Sequence, residues 1–233
     1  MGRSRTILHI SDTHAQRETT FRLNTLARLP ECRYYDVVAV TGDCRSLGNT
    51  PGEDWNGWPQ PWKFCVRGNE DRTDTYDRLT RWNEQHGPWG VDVGRLRFIG
   101  VDRDASSGIG LRQLRKQLEE MDGRSDIESV VLLSHYRPPF DEVVNGLDGL
   151  KRLRAVLGLH GHEHGKDTSV REIGSEWREE DSIGGVRVFR SNVYSAADRK
   201  RGCAHRIRWD GEAYSCEQVR VDITVTPCEQ VRA

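Results

Sequence analysis

Residues 6–14 read TILHISDTH, a short run of apolar and β-branched side chains from Thr6 to Ile10 followed by a polar turn carrying Asp12 and His14. That pattern, a buried-looking strand that runs into metal-ligand side chains, sets the reading of the rest because it recurs downstream. Val37–Val40 leads into Gly42 and Asp43, Lys63–Val66 into Gly68, Asn69 and Glu70, and Val130–Leu133 into Ser134 and His135. Val156–Leu159 leads into His160, Gly161, His162, Glu163 and His164. In an open α/β sheet the carboxyl ends of the strands line the crevice where ligands bind, so these side chains are expected to converge.

The intervening segments complete an α/β pattern. Thr20–Leu29 has Phe21, Leu23, Leu26 and Leu29 at helical spacing before Pro30 stops it, and Asp74–Gln85 also reads as a helix. Gly110–Met121, with Leu111, Leu114 and Leu118 in register, is a third, and a short helix is expected near Leu147–Leu153 after the proline-rich turn Arg137–Pro139. Val91–Val93 and Leu96–Val101 flank a Gly94-Arg95 turn as a hairpin, whereas Asn49–Pro61, rich in Gly, Pro and Trp, reads as a loop. Beyond His164, Arg187–Arg190, Ala204–Trp209 and Ala213–Val219 alternate apolar with polar residues, as antiparallel strands with one wet face do, and Asp210-Gly211 marks a hairpin turn. We expect one domain over residues 1–225 and a loose tail over 226–233.

Composition narrows the function classes. Lys plus Arg number 35 against 36 Asp plus Glu, so the chain lacks the global positive field that long duplex nucleic acid favours in a partner. The apolar runs are too short to span a bilayer, no basic-then-apolar leader precedes Thr6, and the cytoplasm is the expected compartment. Mean hydropathy is −0.74, in keeping with extensive polar loops. The 6 cysteines include no C-x-x-C pair, which argues against a zinc ribbon or a dense disulfide framework and for buried or idle thiols.

Asp12, His14, Asp43, Asn69, His135, His162 and His164 form a mixed set of carboxylate, amide and imidazole donors. Such a set suits Mn, Fe or Zn better than it suits ions that prefer an all-oxygen cage. Asp12 with His14, and His162 with His164, are two residues apart, and in extended backbone such pairs face the same way. The set is too large for one tetrahedral zinc. It matches two five- or six-coordinate cations that share a carboxylate, Asp43 being the natural bridge, and a pair held roughly 3.5–4 Å apart can clamp both oxygens of an in-line phosphoryl displacement.

In this order, D-x-H, G-D, G-N-E, S-H and G-H-E-H resemble the calcineurin-like metallophosphoesterase family over residues 5–165. The resemblance implies a four-layer αββα sandwich, two mixed β-sheets flanked by helices, with a dinuclear site at one edge. It assigns Asp12, His14, Asp43 and His164 to a first metal and Asp43, Asn69, His135 and His162 to a second. Two divalent cations are implied, Mn first and Fe, Zn or Mg as alternatives, with a bridging hydroxide attacking phosphorus in line. Asp43, Asn69, Glu70 and His135 are the expected catalytic residues.

Glu70 is a departure, since family phosphomonoesterases commonly carry histidine beside the asparagine. Either Glu70 is a general acid with a raised pKa, which burial favours and the cations oppose, or there is no general acid. Diesters or activated leaving groups are therefore the expected substrates, a nucleotide among them. The alternatives are a nuclease acting on short or single-stranded nucleic acid, and a non-catalytic scaffold. Arg45, Arg67 and Arg137 each lie within two residues of a ligand candidate and are the expected phosphate-binding residues, weighed against ordinary solvated arginines. Trp55, Trp58 and Trp62 are expected to pack their loop rather than stack on a base, His160 stands outside the ligand set, and His9, His86 and His205 are assigned structural roles.

Overall fold

A computed structural model describes residues 4–12, 34–43, 60–69, 89–101, 108–137, 150–162, 174–183, 186–194 and 201–222. In chain order the strands are β1 (Arg5–Ile10), β2 (Val37–Thr41), β3 (Trp62–Val66), β4 (Trp89–Val93), β5 (Leu96–Val101), β6 (Ser129–Ser134), β7 (Ala155–His160), β8 (Gly174–Ile183), β9 (Val186–Tyr194), β10 (Arg201–Trp209) and β11 (Tyr214–Asp222). Helix α1 (Gly108–Asp122) lies between β5 and β6.

The strands form two mixed sheets, ordered β11-β10-β1-β2-β3 and β4-β5-β6-β7-β9-β8. Each has a parallel part, β1-β2-β3 in the first, where β3 is itself an edge, and β5-β6-β7-β9 in the second; antiparallel strands flank the first on one side and the second on both. A parallel centre matters for function because it delivers successive strand carboxyl ends to one rim.

Strand alternation explains the layers. Val131 and Leu133 of β6 point into the core between the sheets with Ile7, Val37, Ala39, Phe64, Phe98, Leu157, Phe189 and Ile207. Val130 and Leu132 point the other way, onto Leu114, Leu118 and Met121 of α1. Leu8, Ile10, Val38 and Val40, of the opposite parity in the first sheet, are also fully buried, so that face is covered too. Strands buried on both sides read as continuous apolar runs, which is why the central ones were legible. The result is the expected four-layer sandwich.

Aromatic rings fill much of the inter-sheet space, with Phe64 4.9 Å from Phe98 and 5.3 Å from Trp89, and Trp209 4.6 Å from Tyr214. Trp89 sits over Gly100 on the neighbouring strand, where any β-carbon would strike the indole. Burying each such ring is worth roughly 2–3 kcal/mol.

The structure corrects the reading at several places. Residues 150–153 form a bend instead of the end of a short helix: the Asp122 carboxylate at the end of α1 accepts backbone N–H bonds from Lys151, Arg152 and Leu153 at 2.9, 2.7 and 3.0 Å. Burial works against the charge, but these three bonds hold Asp122 below the usual carboxylate range, so the side chain satisfies donors that a helix would have turned inward. Strand β8, GSEWREEDSI, was not anticipated, because its charges hide the alternation. It is an edge strand, where charge discourages pairing with another chain. Trp62 opens β3 and stacks on Phe64 at 6.4 Å, at the end of the strand opposite Asn69. The helices expected over 20–29 and 74–85, and Trp55, Trp58 and His86, lie outside the described residues. No helix among the described residues is long and apolar enough to cross a membrane.

Candidate metal centre

The carboxyl ends of both parallel centres meet at one rim. The loop after β1 is tied to the loop after β2 by Asp12 N–H donating to the Gly42 carbonyl at 3.2 Å, and the loop after β7 to that after β6 by Gly161 N–H donating to the His135 carbonyl at 3.1 Å. Across the sheets, His162 N–H donates to Asp12 Oδ2 at 3.0 Å. A backbone N–H and a side-chain carboxylate thus join residues 150 positions apart.

Within this rim, Asp12, Asp43 and His135, all buried, bring one ligand atom each to within 4.8 Å of one another. His135 Nε2 is 3.5 Å from Asp43 Oδ2 and 2.9 Å from Asn69 Oδ1. The His162 ring stands edge-on to His135 with centroids 5.0 Å apart. Asp12, Asp43, Asn69, His135 and His162 are therefore brought together, while His14, Arg45, Glu70 and His164 lie outside the described residues. Arg67 and Arg137 follow β3 and β6 at this same edge, the first half-buried and the second exposed.

Three features test whether this set fits a cation. The first is electron-pair bookkeeping. His135 Nδ1 lies 2.8 Å from the Thr41 carbonyl, which can only accept, so Nδ1 carries a hydrogen and Nε2 faces the carboxylate and amide oxygens of Asp43 and Asn69. Three electron-pair donors facing one another repel unless a proton or a metal cation lies among them. The second is backbone strain. Asp12 (φ 53°), Asp43 (φ 52°) and His162 (φ 64°) are the non-glycine residues with positive φ among those described, and each such conformation costs on the order of 1 kcal/mol or more. All belong to the candidate ligand set. The third is close approach: a β-carbon on Gly68 would collide with the Asp43 carboxylate, and one on Gly161 with Ser11 and the Asp12 carboxylate. The residues fit.

The positive φ values also correct one step of the reading. Asp12 and His162 do not lie in extended backbone, since β1 ends at Ile10 and β7 at His160, and both chains turn sharply just beyond. The turn, and not strand parity, aims these side chains.

Sequence reasoning missed the groups that hold the ligands. Ser11 Oγ donates to Asp12 Oδ2 at 2.7 Å and lies 3.1 Å from the Thr41 carbonyl. With His162 N–H on the same oxygen, Asp12 Oδ2 is fixed from two sides. Tyr136 packs edge-on against His162 at 4.5 Å and His135 at 5.2 Å, forming an aromatic wall. Adjacency to Asp12 and His135 was the sole hint available for Ser11 and Tyr136. His160 is buried, and desolvation, together with Arg190 and Arg137, lowers its pKa to about 4 although a bond to the Gly161 carbonyl and nearby Asp12 oppose the shift.

A two-sheet sandwich with carboxylates, amide and imidazoles gathered at a shared carboxyl-end rim defines a metallophosphoesterase architecture. The sequence pattern of the calcineurin-like phosphoesterase family matches residues 5–166, and the chain belongs to that family. Among solved structures it is similar to a dimetal phosphatase from Danio rerio, at 11% identity and TM-score 0.59, over 94% of this chain and 98% of that one. It is similar also to a phosphatase from Mycoplasma pneumoniae, at 11% identity and TM-score 0.51, over 95% of each chain. A Vps29 from Chaetomium thermophilum overlaps at 13% identity and TM-score 0.41, over 94% of this chain and 98% of that one. No curated protein sequence matches the chain.

Proposed function

We propose that this chain hydrolyses a phosphodiester, or a phosphomonoester with an activated leaving group, at a dinuclear centre built on Asp12, His14, Asp43, Asn69, His135, His162 and His164, with Mn as the first-choice metal. The observation that carries the proposal is the convergence of Asp12, Asp43 and His135 ligand atoms within 4.8 Å, with Asn69 and His162 adjoining His135. Bound there, divalent cations supply Lewis acidity towards the phosphoryl oxygens and lower the pKa of a coordinated water.

The chain's own residues do the rest. Asp43, whose Oδ2 lies 3.5 Å from His135 Nε2 within the cluster that includes Asp12, is the residue we assign as the shared carboxylate. The Thr41 carbonyl fixes the His135 tautomer, and Ser11 with His162 N–H fixes Asp12, so the ligands are held before substrate arrives. Arg67 and Arg137, with Arg45, are the groups we assign to the phosphate oxygens. Glu70 replaces the histidine that would assist a poor leaving group, which is the basis for favouring diesters.

The test is hydrolysis of bis-p-nitrophenyl phosphate and p-nitrophenyl phosphate with added Mn. Diester cleavage that exceeds monoester cleavage, and is lost in Asp43→Ala and His135→Ala, is the expected result. Monoester preference would remove the argument from Glu70. Stoichiometric Mn binding without turnover of either ester would leave the non-catalytic scaffold as the better reading.

A further inference from the structure

The Thr41 carbonyl, at the end of β2, accepts from His135 Nδ1 at 2.8 Å and lies 3.1 Å from Ser11 Oγ, which itself holds Asp12 Oδ2 at 2.7 Å. This peptide oxygen thereby sets the orientation of His135, a clustered ligand side chain that comes from the other sheet. Its side chain is anchored in turn. Thr41 Oγ1 lies 2.9 Å from His9 Nε2, His9 Nδ1 lies 2.7 Å from Ser191 Oγ, and Ser191 Oγ lies 2.7 Å from His205 Nδ1.

All four side chains are buried, in a layer otherwise filled by residues such as Ile7, Ala39 and Ile207. The chain of contacts is proton-consistent. Ser191 has one hydrogen to share between two imidazole nitrogens, so one ring must donate to it and the other accept. Two neutral rings satisfy this, and desolvation keeps both neutral at pH 7, lowering His9 well below the ordinary imidazole value, with help from His205 and His160, and His205 to about 4. A polar run of this kind in a sandwich core is more costly than apolar side chains of equal volume, so folding alone gives no reason for it.

We propose that His9 is a positioning residue for the metal centre: backed by Ser191 and His205, it holds the Thr41 peptide at the angle from which its carbonyl aims His135. This inference rests on the metal site of the preceding section and adds to it a second set of residues, none of them a ligand. Its consequence is specific. Removing the Thr41 hydroxyl, which touches no ligand, should loosen metal binding.

Thr41→Val removes that hydroxyl at constant volume and Thr41→Ser retains it; His9→Phe removes the partner. Mn affinity would be measured by calorimetric titration, and coordination geometry by the visible absorption of the Co-substituted protein. Thr41→Val should weaken Mn binding about tenfold and shift the Co bands, while Thr41→Ser leaves both near wild type. His9→Phe should match Thr41→Val, and the double variant should be no weaker than either single one, because both break one contact. If His9→Phe fails to fold, the Val and Ser pair decides alone. Wild-type affinity and spectrum in Thr41→Val would overturn the inference and leave the metal site intact. A wild-type chain that binds neither Mn nor Co would overturn the metal site, and this inference with it.

Discussion

The two ends of the sandwich are built on opposite electrostatic rules. At the amino ends of the parallel strands, charges meet opposite charges: Arg5 with Asp36 at 3.0 Å, Arg95 with Glu128 at 2.9 Å, and Arg154 reaching the same Glu128 at 3.6 Å. The hairpin there is closed by Asp210, whose carboxylate accepts from Glu212 and Ala213 N–H at 2.9 Å each. At the carboxyl end, donor atoms of Asp43, Asn69 and His135 crowd together and the backbone takes positive φ at Asp12, Asp43 and His162. One end is closed by paired charges, whereas the other gathers carboxylate, amide and imidazole donors in a set that suits a cation.

That contrast makes ordered predictions. The largest effect belongs to Asp43→Asn, which keeps the size and tolerates positive φ but removes the charge. Mn-dependent diester hydrolysis should fall by about 10²–10³-fold or more, while the melting temperature of the metal-free protein stays level or rises. A metal-free Asp43→Asn much less stable than wild type would show that this end is built for stability after all.

Next comes a pair of glycines. Gly161→Ala forces a methyl into Ser11 and Asp12 and should abolish tight Mn binding. Gly211→Ala meets nothing within 4 Å and suffers from its φ of 107° alone. We expect it to cost about 1–3 kcal/mol in urea unfolding, with Mn affinity unchanged.

Acid should act on the inter-sheet core as well. His205 is lowered by burial to about 4 and His9 well below its ordinary value, so as pH drops from about 6.5 towards 4 the unfolded chain takes up protons that the native state refuses. The stability these rings contribute is complete above their unfolded value and declines through that window. Thermal melts of the metal-free protein from pH 7.5 to 4.5 should therefore fall, and more shallowly in His205→Gln. An equal slope in that variant would remove His205 from the account.

The smallest effect is expected at Glu128, whose arginine partners are about half exposed. Glu128→Gln should cost about 1 kcal/mol, decrease with added salt, and leave hydrolysis untouched.

Much of this architecture could be read from local pattern. β1, β2, β6 and β7 announce themselves because burial on both faces gives each an apolar run, such as Val37–Val40 or Val130–Leu133. Each candidate ligand stands just past one of these strands or, for Asn69, past β3, so order along the chain sufficed to nominate it. β8 escaped because an edge strand spends its alternation on charge, and the bend at 150–153 because Asp122 supplies hydrogen bonds to residues 29 to 31 positions later.

By itself, then, the sequence determined the family, the runs that become the central strands and the chemical identity of the ligand donors, all of which depend on neighbours a few residues apart. Only the tertiary structure decided how those donors are aimed. The Thr41 carbonyl, the Ser11 hydroxyl, the His162 amide and the positive φ of Asp12 and Asp43 act between segments 30 to 150 residues apart, and no local spacing encodes them. Direction in space is a property of the packed sheets, because a side chain that ends a strand points where the neighbouring loop's hydrogen bonds hold it.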